Sequence, residues 1–271
     1  MSSPRTPRRR PRPLFATPAA ALATAGLLAA AHVLGSSPAT ASATVSADPP
    51  AVAAALGTTA TAPADRASAR VGALFGGTIG PGHHFCSASV LQSPTRDLVL
   101  TAAHCVGSTD GLSFVPGYRD GSAPYGTWQV TAIYAPDAWT EDRDEDADYA
   151  ILRVAPAADG HRVEDVVGGN ALGMDDPFTS QVRLYGYPAR AEAPLLCTDT
   201  TTRQSATQRR IECPGYPGGT SGGPWISTRT GEVVGVIGGY QEGGDTADIS
   251  YSSYFDHTMI ALYRRAVTAA P

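Results

Sequence analysis

Three short stretches of this 271-residue chain hold residue types suited to chemistry. The first is Gly218-Gly219-Thr220-Ser221-Gly222-Gly223-Pro224. A serine hydroxyl attacks poorly until a base removes its proton. Acyl transfer also needs donors aimed at a developing oxyanion. Glycines beside a serine let the backbone turn its N–H groups inward and let a substrate carbonyl come close. The bland alternative is a glycine-rich hairpin, in a chain with 29 glycines.

The second stretch is Leu98-Val99-Leu100-Thr101-Ala102-Ala103-His104-Cys105. His104 ends an apolar run among small residues, where an imidazole is partly buried and fixed. Histidine titrates near neutrality, which suits a general base. The third is Asp146-Ala147-Asp148-Tyr149-Ala150-Ile151-Leu152, in which Asp148 directly precedes an apolar run. A carboxylate there can accept the other N–H of the base, fix its tautomer and stabilise the imidazolium. The acidic run from Glu141 to Glu145 reads as a solvated loop. It lacks the glycine and terminal glutamate of an EF-hand calcium loop.

Composition removes several other chemistries. All 20 basic residues are Arg, so Schiff bases and Ser–Lys dyads are excluded. The net charge is −5, and five of the arginines (Arg5, Arg8, Arg9, Arg10 and Arg12) lie in the first 43 residues. Without that segment the chain is more acidic still, so no nucleic-acid partner is expected. The four cysteines, Cys86, Cys105, Cys197 and Cys213, form no C-x-x-C pair, which argues against a zinc ribbon. Two disulfides are expected, and of the three pairings the local one, Cys86–Cys105 with Cys197–Cys213, is favoured. His83-His84 is adjacent in sequence and has no evident third ligand, so no metal site is expected there.

The elements that must position these groups are short. Apolar runs such as Ser87–Leu91, Leu98–Ala102, Thr127–Tyr134, Tyr149–Val154, Val182–Tyr187, Glu232–Ile237 and Ile249–Phe255 are broken by Gly, Pro, Asp or Ser. Many are β-branched or aromatic, which predicts an all-β barrel or sandwich. Only Asp256–Thr268 has helical spacing, with Met259, Ile260, Leu262, Tyr263 and Val267 forming its apolar set. Residues 1–43 read as a signal peptide: an Arg-rich start, an uncharged Ala/Leu-rich stretch from Leu14 to Leu34, then Ala41-Ser42-Ala43. A membrane anchor is the competing reading, disfavoured by the Ala and Thr content and by Pro18. The pair Arg8-Arg9 hints at the twin-arginine route. Residues 44–70, rich in Ala, Thr, Pro and Ser, read as a pro-segment or linker, and 71–271 as the folded domain.

Together, in the order His, Asp, Ser, these stretches resemble the trypsin/chymotrypsin family of serine proteases, in its bacterial secreted branch. Thr101-Ala102-Ala103-His104-Cys105 is similar to the family's histidine motif, and Phe85-Cys86-Ser87-Ala88-Ser89-Val90 to the strand before it. Asp148-Tyr149-Ala150-Ile151-Leu152 is similar to the aspartate motif and Gly219-Thr220-Ser221-Gly222-Gly223-Pro224 to the nucleophile motif. The resemblance implies two six-stranded antiparallel β-barrels (chymotrypsin-like) with a C-terminal α-helix and a site between the barrels. It also implies an oxyanion hole from the Gly219 and Ser221 amides. The implied activity is that of a secreted, monomeric endopeptidase, a zymogen at most through its pro-segment, that acts on polypeptides without a cofactor.

The chain departs from the family in places. Thr220 stands where animal members carry an Asp that pairs with the amino terminus freed on activation, so that switch is expected to be absent. The bacterial glutamate-specific branch lacks that Asp too. Arg70-Val71-Gly72 resembles an activation cut and reads here as trimming of the pro-segment. Val233–Gly239 resembles the strand that walls the primary pocket, with Ile237 in place of the usual serine, Gly238 and Gly239 leaving the wall open, and Val236 where glutamate-specific relatives place a histidine. Gly215, six before the nucleophile, is not an acid. The expected pocket, from Gly215, Ile237, Gly238 and Gly239, takes medium or large apolar side chains, with Glu212 as the nearby acid that could change this. Two other readings are a catalytically silent binding module and an esterase using the same site. The intact His104, Asp148 and Ser221 set weighs against the first, and competing peptide and ester substrates separate the second.

Overall fold

The computed structural model describes residues 56–269. The expected signal peptide, residues 1–43, and residues 44–55 of the expected linker lie outside the described residues.

The described chain opens with strand β1 (Thr58–Thr61) and a one-turn helix, α1 (Arg66–Ala69). Asp65 caps that turn by accepting from the Ala67 and Ser68 amides. Next come β2 (Val71–Gly76), β3 (His84–Val90), β4 (Leu98–Thr101), β5 (Leu112–Pro116), β6 (Trp128–Tyr134), helix α2 (Asp137–Asp142) and β7 (Ala150–Val154). The six strands close into a barrel in the order β2-β3-β4-β7-β6-β5. Period-two alternation sorts their side chains. Leu74, Ala88, Val90, Val99, Phe114, Trp128, Leu152 and Val154 form one buried cluster. Residues of opposite parity, such as Ala73, Phe75, Leu100 and Ile151, pack with Tyr185, Tyr187, Ile226 and Val236 of the second half. The strands are thus buried on both faces, which is why several read as unbroken apolar runs.

After helix α3 (Val163–Val167) come β8 (Gln181–Gly186), β9 (Leu195–Thr200), β10 (Thr202–Arg203), β11 (Gln208–Ile211), β12 (Pro224–Ser227), β13 (Val233–Val236) and β14 (Ser250–Ser253). Of the two six-stranded barrels expected, the first is closed and the second is not seen as a closed barrel among the described strands. The second half holds a five-stranded sheet, β1-β9-β8-β12-β13, and a three-stranded sheet, β10-β11-β14. Between β13 and β14 a side chain replaces a ladder carbonyl: the Val236 amide donates to Ser252 Oγ at 3.0 Å. The one backbone link nearby is from Gly238 N to Tyr251 O, at 3.0 Å. The core of this half holds Val182, Leu184, Trp225, Val234, Ile237 and Tyr216 with the Cys197–Cys213 disulfide.

Packed structure begins before Val71. Strand β1 pairs antiparallel with β9, Thr58 opposite Thr198 and Thr61 opposite Leu195. Ala62 is buried in the core, and its carbonyl accepts from the Arg119 guanidinium at 2.8 Å. The boundary expected at 70/71 therefore falls inside folded chain. Thr-rich β1 has few apolar residues because the sheet it joins, not its own side chains, supplies the stabilising partner.

Helix α4 (His257–Thr268) closes the chain as its spacing predicted, with Met259, Leu262 and Ala266 buried. Asp256 caps its start, and Arg153 of β7 donates to the Ala266 and Ala269 carbonyls at its end. A cation there satisfies orphan carbonyls and suits the helix dipole.

Candidate active site

The barrel's strand register brings His104 and Asp148 together. β4 and β7 are antiparallel neighbours with Thr101 opposite Ala150. The residues just after β4 and just before β7 therefore lie at the same barrel end. His104 sits in a 3-10 turn, Ala103–Cys105, and Asp148 follows another, Glu145–Ala147. The Cys86–Cys105 disulfide ties the histidine turn back to β3.

Asp148 is fully buried, and its carboxylate accepts three N–H groups. Oδ1 accepts from the His104 amide at 2.9 Å. Oδ2 accepts from His104 Nδ1 at 2.7 Å and from the Gly239 amide at 2.8 Å. With Nδ1 donating to the carboxylate, His104 Nε2 is left as an acceptor. The imidazole side chain is 12% exposed.

The Ser221 loop comes from the second half and meets β3. The Ser221 carbonyl accepts from the Ser87 amide at 2.7 Å, on β3. The next residue, Gly222, lies so close to Thr101, Ala102 and Ser87 that a Cβ would overlap Thr101 Oγ1 and the Ser87 carbonyl. The nucleophile loop therefore abuts the strand end that leads to His104. Within that loop the Gly218 carbonyl accepts from Ala189 N at 2.9 Å, and the Thr220 carbonyl from Gly223 N at 2.9 Å. In a trans peptide the N–H points opposite to the C=O. These two bonds therefore aim the Gly219 and Ser221 amides away from the protein partners that hold the carbonyls. Thr220 is buried against Gly186, and its hydroxyl donates to Pro217 O, so no charge stands there to meet an amino terminus.

The residues expected around a pocket are spread unevenly. Ile237 is buried in the core cluster with Trp225 and Leu184. The residue against the carboxylate is Gly238, where a Cβ would stand 3.0 Å from Asp148 Oδ2. This places the expected serine-equivalent position one residue later than Ile237. A Cβ at Gly215 would meet only Leu195 Cδ1 and Thr59 Cγ2, each at 4.0 Å. Glu212 is paired with Arg210 at 2.6 Å. Burial pushes the Tyr216 phenol up from its ordinary range, and its OH donates to Leu184 O at 2.7 Å.

Two contributors escaped the sequence reading. Buried Gln208 donates from Nε2 to Glu145 O at 2.9 Å and to Asp146 Oδ1 at 2.8 Å, while its Oε1 accepts from Tyr240 N at 3.3 Å. It stitches the aspartate turn to the Gly239–Tyr240 wall. Ser87 touches the nucleophile loop with its side chain as well as its amide. No motif marks Gln208, and Ser87 lies inside a recognised strand without any signal of its own.

Other candidate ligands lie apart. His84 is buried with Nε2 on Ala191 O at 2.9 Å, and His83 is exposed. Cys86, His104 and Cys105 gather in one place, but both sulfurs are spent in the disulfide, leaving one ligand atom there. A cavity of about 640 Å³, walled by Ala138, Tyr149, Asp144, Asp146 and Asp256, lies behind the aspartate turn and is not lined by His104, Asp148 or Ser221.

A buried carboxylate holding a histidine, with a glycine-flanked serine loop abutting the strand end that leads to it, on a β-barrel joined to a second β half, fits a serine-peptidase architecture. The sequence profile of the trypsin-like peptidase domain matches residues 86–236, more than half of the chain, and the chain belongs to that family of serine-type peptidases. Protease Anisep from Arthrobacter nicotinovorans is 25% identical with a TM-score of 0.66, over 78% of this chain and all of that one. The thermostable serine protease AL20 from an extremophilic microorganism is 26% identical with a TM-score of 0.65, over 76% of this chain and all of that one. A Glu endopeptidase, 18% identical with a TM-score of 0.63 over 81% of this chain, shares the fold. A Bacillus subtilis (strain 168) protein named extracellular metalloprotease is 28% identical over 118 residues, 42% of this chain and 37% of its own length. The chain thus matches little over a third of that relative.

Proposed function

We propose that this chain is an exported serine endopeptidase with Ser221 as nucleophile, His104 as general base and Asp148 as the acid that orients it. The observation that carries this reading is the pair of bonds from the His104 amide and Nδ1 to the buried Asp148 carboxylate. They hold the ring in one tautomer, with Nε2 available. His104 Nε2 takes the Ser221 hydroxyl proton as Oγ attacks the scissile carbonyl. The Gly219 and Ser221 amides receive the oxyanion. His104 then gives its proton to the leaving amine, and water attacks the acyl-enzyme with His104 as base again. Nothing in these steps calls for a cofactor.

The substrate is a polypeptide, with an uncharged apolar side chain before the cut. Gly215 offers room beside Leu195 and Thr59, and the nearby Glu212 is already neutralised by Arg210. Gly238 and Gly239 turn their Cα hydrogens toward Asp148 and Gln208, so that only backbone is offered on the facing wall. Export by a signal peptide in residues 1–43 is supported by its composition and by the two disulfides, which persist in oxidising compartments.

The test is labelling of the secreted protein with a fluorophosphonate, beside Ser221→Ala and His104→Ala. Labelled wild type with both variants unlabelled is the expected result. Folded, processed wild type that resists the probe would overturn the reading and favour a binding module.

A further inference from the structure

We propose that Ser87 is a positioning residue for the oxyanion loop, acting through its side-chain hydroxyl. The inference rests on reading the Gly219 and Ser221 amides as the oxyanion donors.

Ser87 is fully buried on β3, directly after Cys86. Cys86, Ala88 and Val90 face the barrel interior, so Ser87 faces the second half. Its hydroxyl accepts from the Tyr187 amide at 2.7 Å and donates to the Gly219 carbonyl at 3.0 Å. Its amide donates to the Ser221 carbonyl at 2.7 Å. Its own carbonyl accepts from Thr101 Oγ1 at 2.8 Å, three residues before His104. One residue therefore joins the nucleophile loop, the β8 end and the histidine strand.

Successive peptide planes explain why this matters. The Gly218 and Thr220 carbonyls are held by Ala189 N and Gly223 N. The two planes that alternate with them carry the Gly219 and Ser221 carbonyls, and Ser87 holds both. Without its hydroxyl, the Gly219 carbonyl loses its partner, and the Gly219–Thr220 plane keeps only the long 3.3 Å bond from the Thr220 amide to the Pro217 carbonyl. Rotation of that plane would swing the flanking Gly219 and Ser221 amides off their common target. Preorganised donors work because they need no such rearrangement during reaction. Any residue except proline supplies the amide bond to Ser221, whereas the bond to Gly219 needs a hydroxyl.

The experiment compares Ser87→Ala, Ser87→Thr and Ser87→Val in the full-length secreted protein, per active site titrated to completion with a fluorophosphonate. Ser87→Ala is expected to lower kcat roughly 10- to 100-fold with little change in KM, because the loss falls on the transition state. Affinity for a peptide trifluoromethyl ketone, whose adduct carries the oxyanion, should fall by the same factor. Affinity for the cleaved peptide product should not. Thr and Val have the same shape, so Ser87→Thr should keep kcat and ketone affinity well above Ser87→Val even if Ser87→Ala does not fold. Equal kcat and ketone affinity in Ser87→Thr and Ser87→Val would overturn the proposal, as would wild-type values in Ser87→Ala. Undiminished turnover by Ser221→Ala in the same assay would instead remove the underlying reading of the site.

Discussion

Asp148 Oδ2 is shared between His104 Nδ1 at 2.7 Å and the Gly239 amide at 2.8 Å. The carboxylate that orients the proposed base is thus also bonded to the backbone expected to wall the substrate pocket. Displacement of either loop is felt at the same oxygen.

Gly238 marks how tightly these loops meet. A Cβ there would stand 2.9 Å from the Asp148 carbonyl, 3.0 Å from Oδ2 and 3.2 Å from Ala102 Cβ. Gly238→Val adds a branched group where even one carbon is crowded. A displacement of about 1 Å at a positioned group costs up to about 100-fold in rate. We expect kcat/KM to fall by roughly that factor, measured on a peptide substrate, with the protein still secreted.

Gln208 holds the same junction from behind. Gln208→Glu keeps the side chain's shape and an oxygen to face Tyr240 N. It removes both donors and sets a carboxylate against Asp146. Gln208→Met removes all three bonds. Both variants should raise KM and lower kcat together, since the wall and the aspartate turn come apart. Melting should register the loss as about 1–3 kcal/mol. Wild-type kinetics in both would show that packing alone holds the junction.

Arg209 supports the second half. Its guanidinium is buried, with one terminal nitrogen within hydrogen-bond distance of Asp176 at 3.0 Å, Ser180 Oγ at 2.7 Å, Pro177 O at 2.9 Å and Thr201 Oγ1 at 3.0 Å. Burial pulls its pKa below the ordinary value, and Asp176 pulls it back up. Breaking a buried pair costs about 3–5 kcal/mol, and Arg209→Met is expected to cost less than that range, because Asp176 keeps the Arg229 guanidinium at 3.3 Å and the Ser180 hydroxyl. Urea unfolding should show this loss, and adding Asp176→Asn should recover part of it.

The chain before Val71 is needed for the sheet. A chain beginning at Val71 lacks β1 and leaves the β9 edge unpaired. Bare edges invite aggregation. It is expected to aggregate or melt well below a chain beginning at Leu56, as scanning calorimetry and light scattering would register.

Each disulfide closes a short loop, with sequence separations of 19 and 16 residues. In the chain-entropy model each contributes about 3 kcal/mol. Cys86→Ser with Cys105→Ser should lose activity at temperatures where the fold survives, because that bridge pins the His104 turn. Cys197→Ser with Cys213→Ser should mainly lower the unfolding midpoint. Parallel activity and unfolding curves separate the two.

The sequence by itself determined the groups of the candidate site, the local cysteine pairing and helix α4. Each is written in a few adjacent residues: small residues beside Ser221 and His104, close cysteine spacings, and an apolar period of a helix. It also specified most of the barrel strands, since both faces are buried and the apolar runs are unbroken. Only the tertiary structure decided where the packed chain starts, because β1 is stabilised by the edge of β9 and not by its own side chains. It also set the link between β13 and β14, where the Ser252 hydroxyl accepts from the Val236 amide. The place of Gly238 against Asp148, and the bonds of Ser87 and Gln208, depend on long-range contacts between loops. Such contacts leave no period or spacing in the chain, because any residue of suitable size and polarity meets them once the two halves have packed.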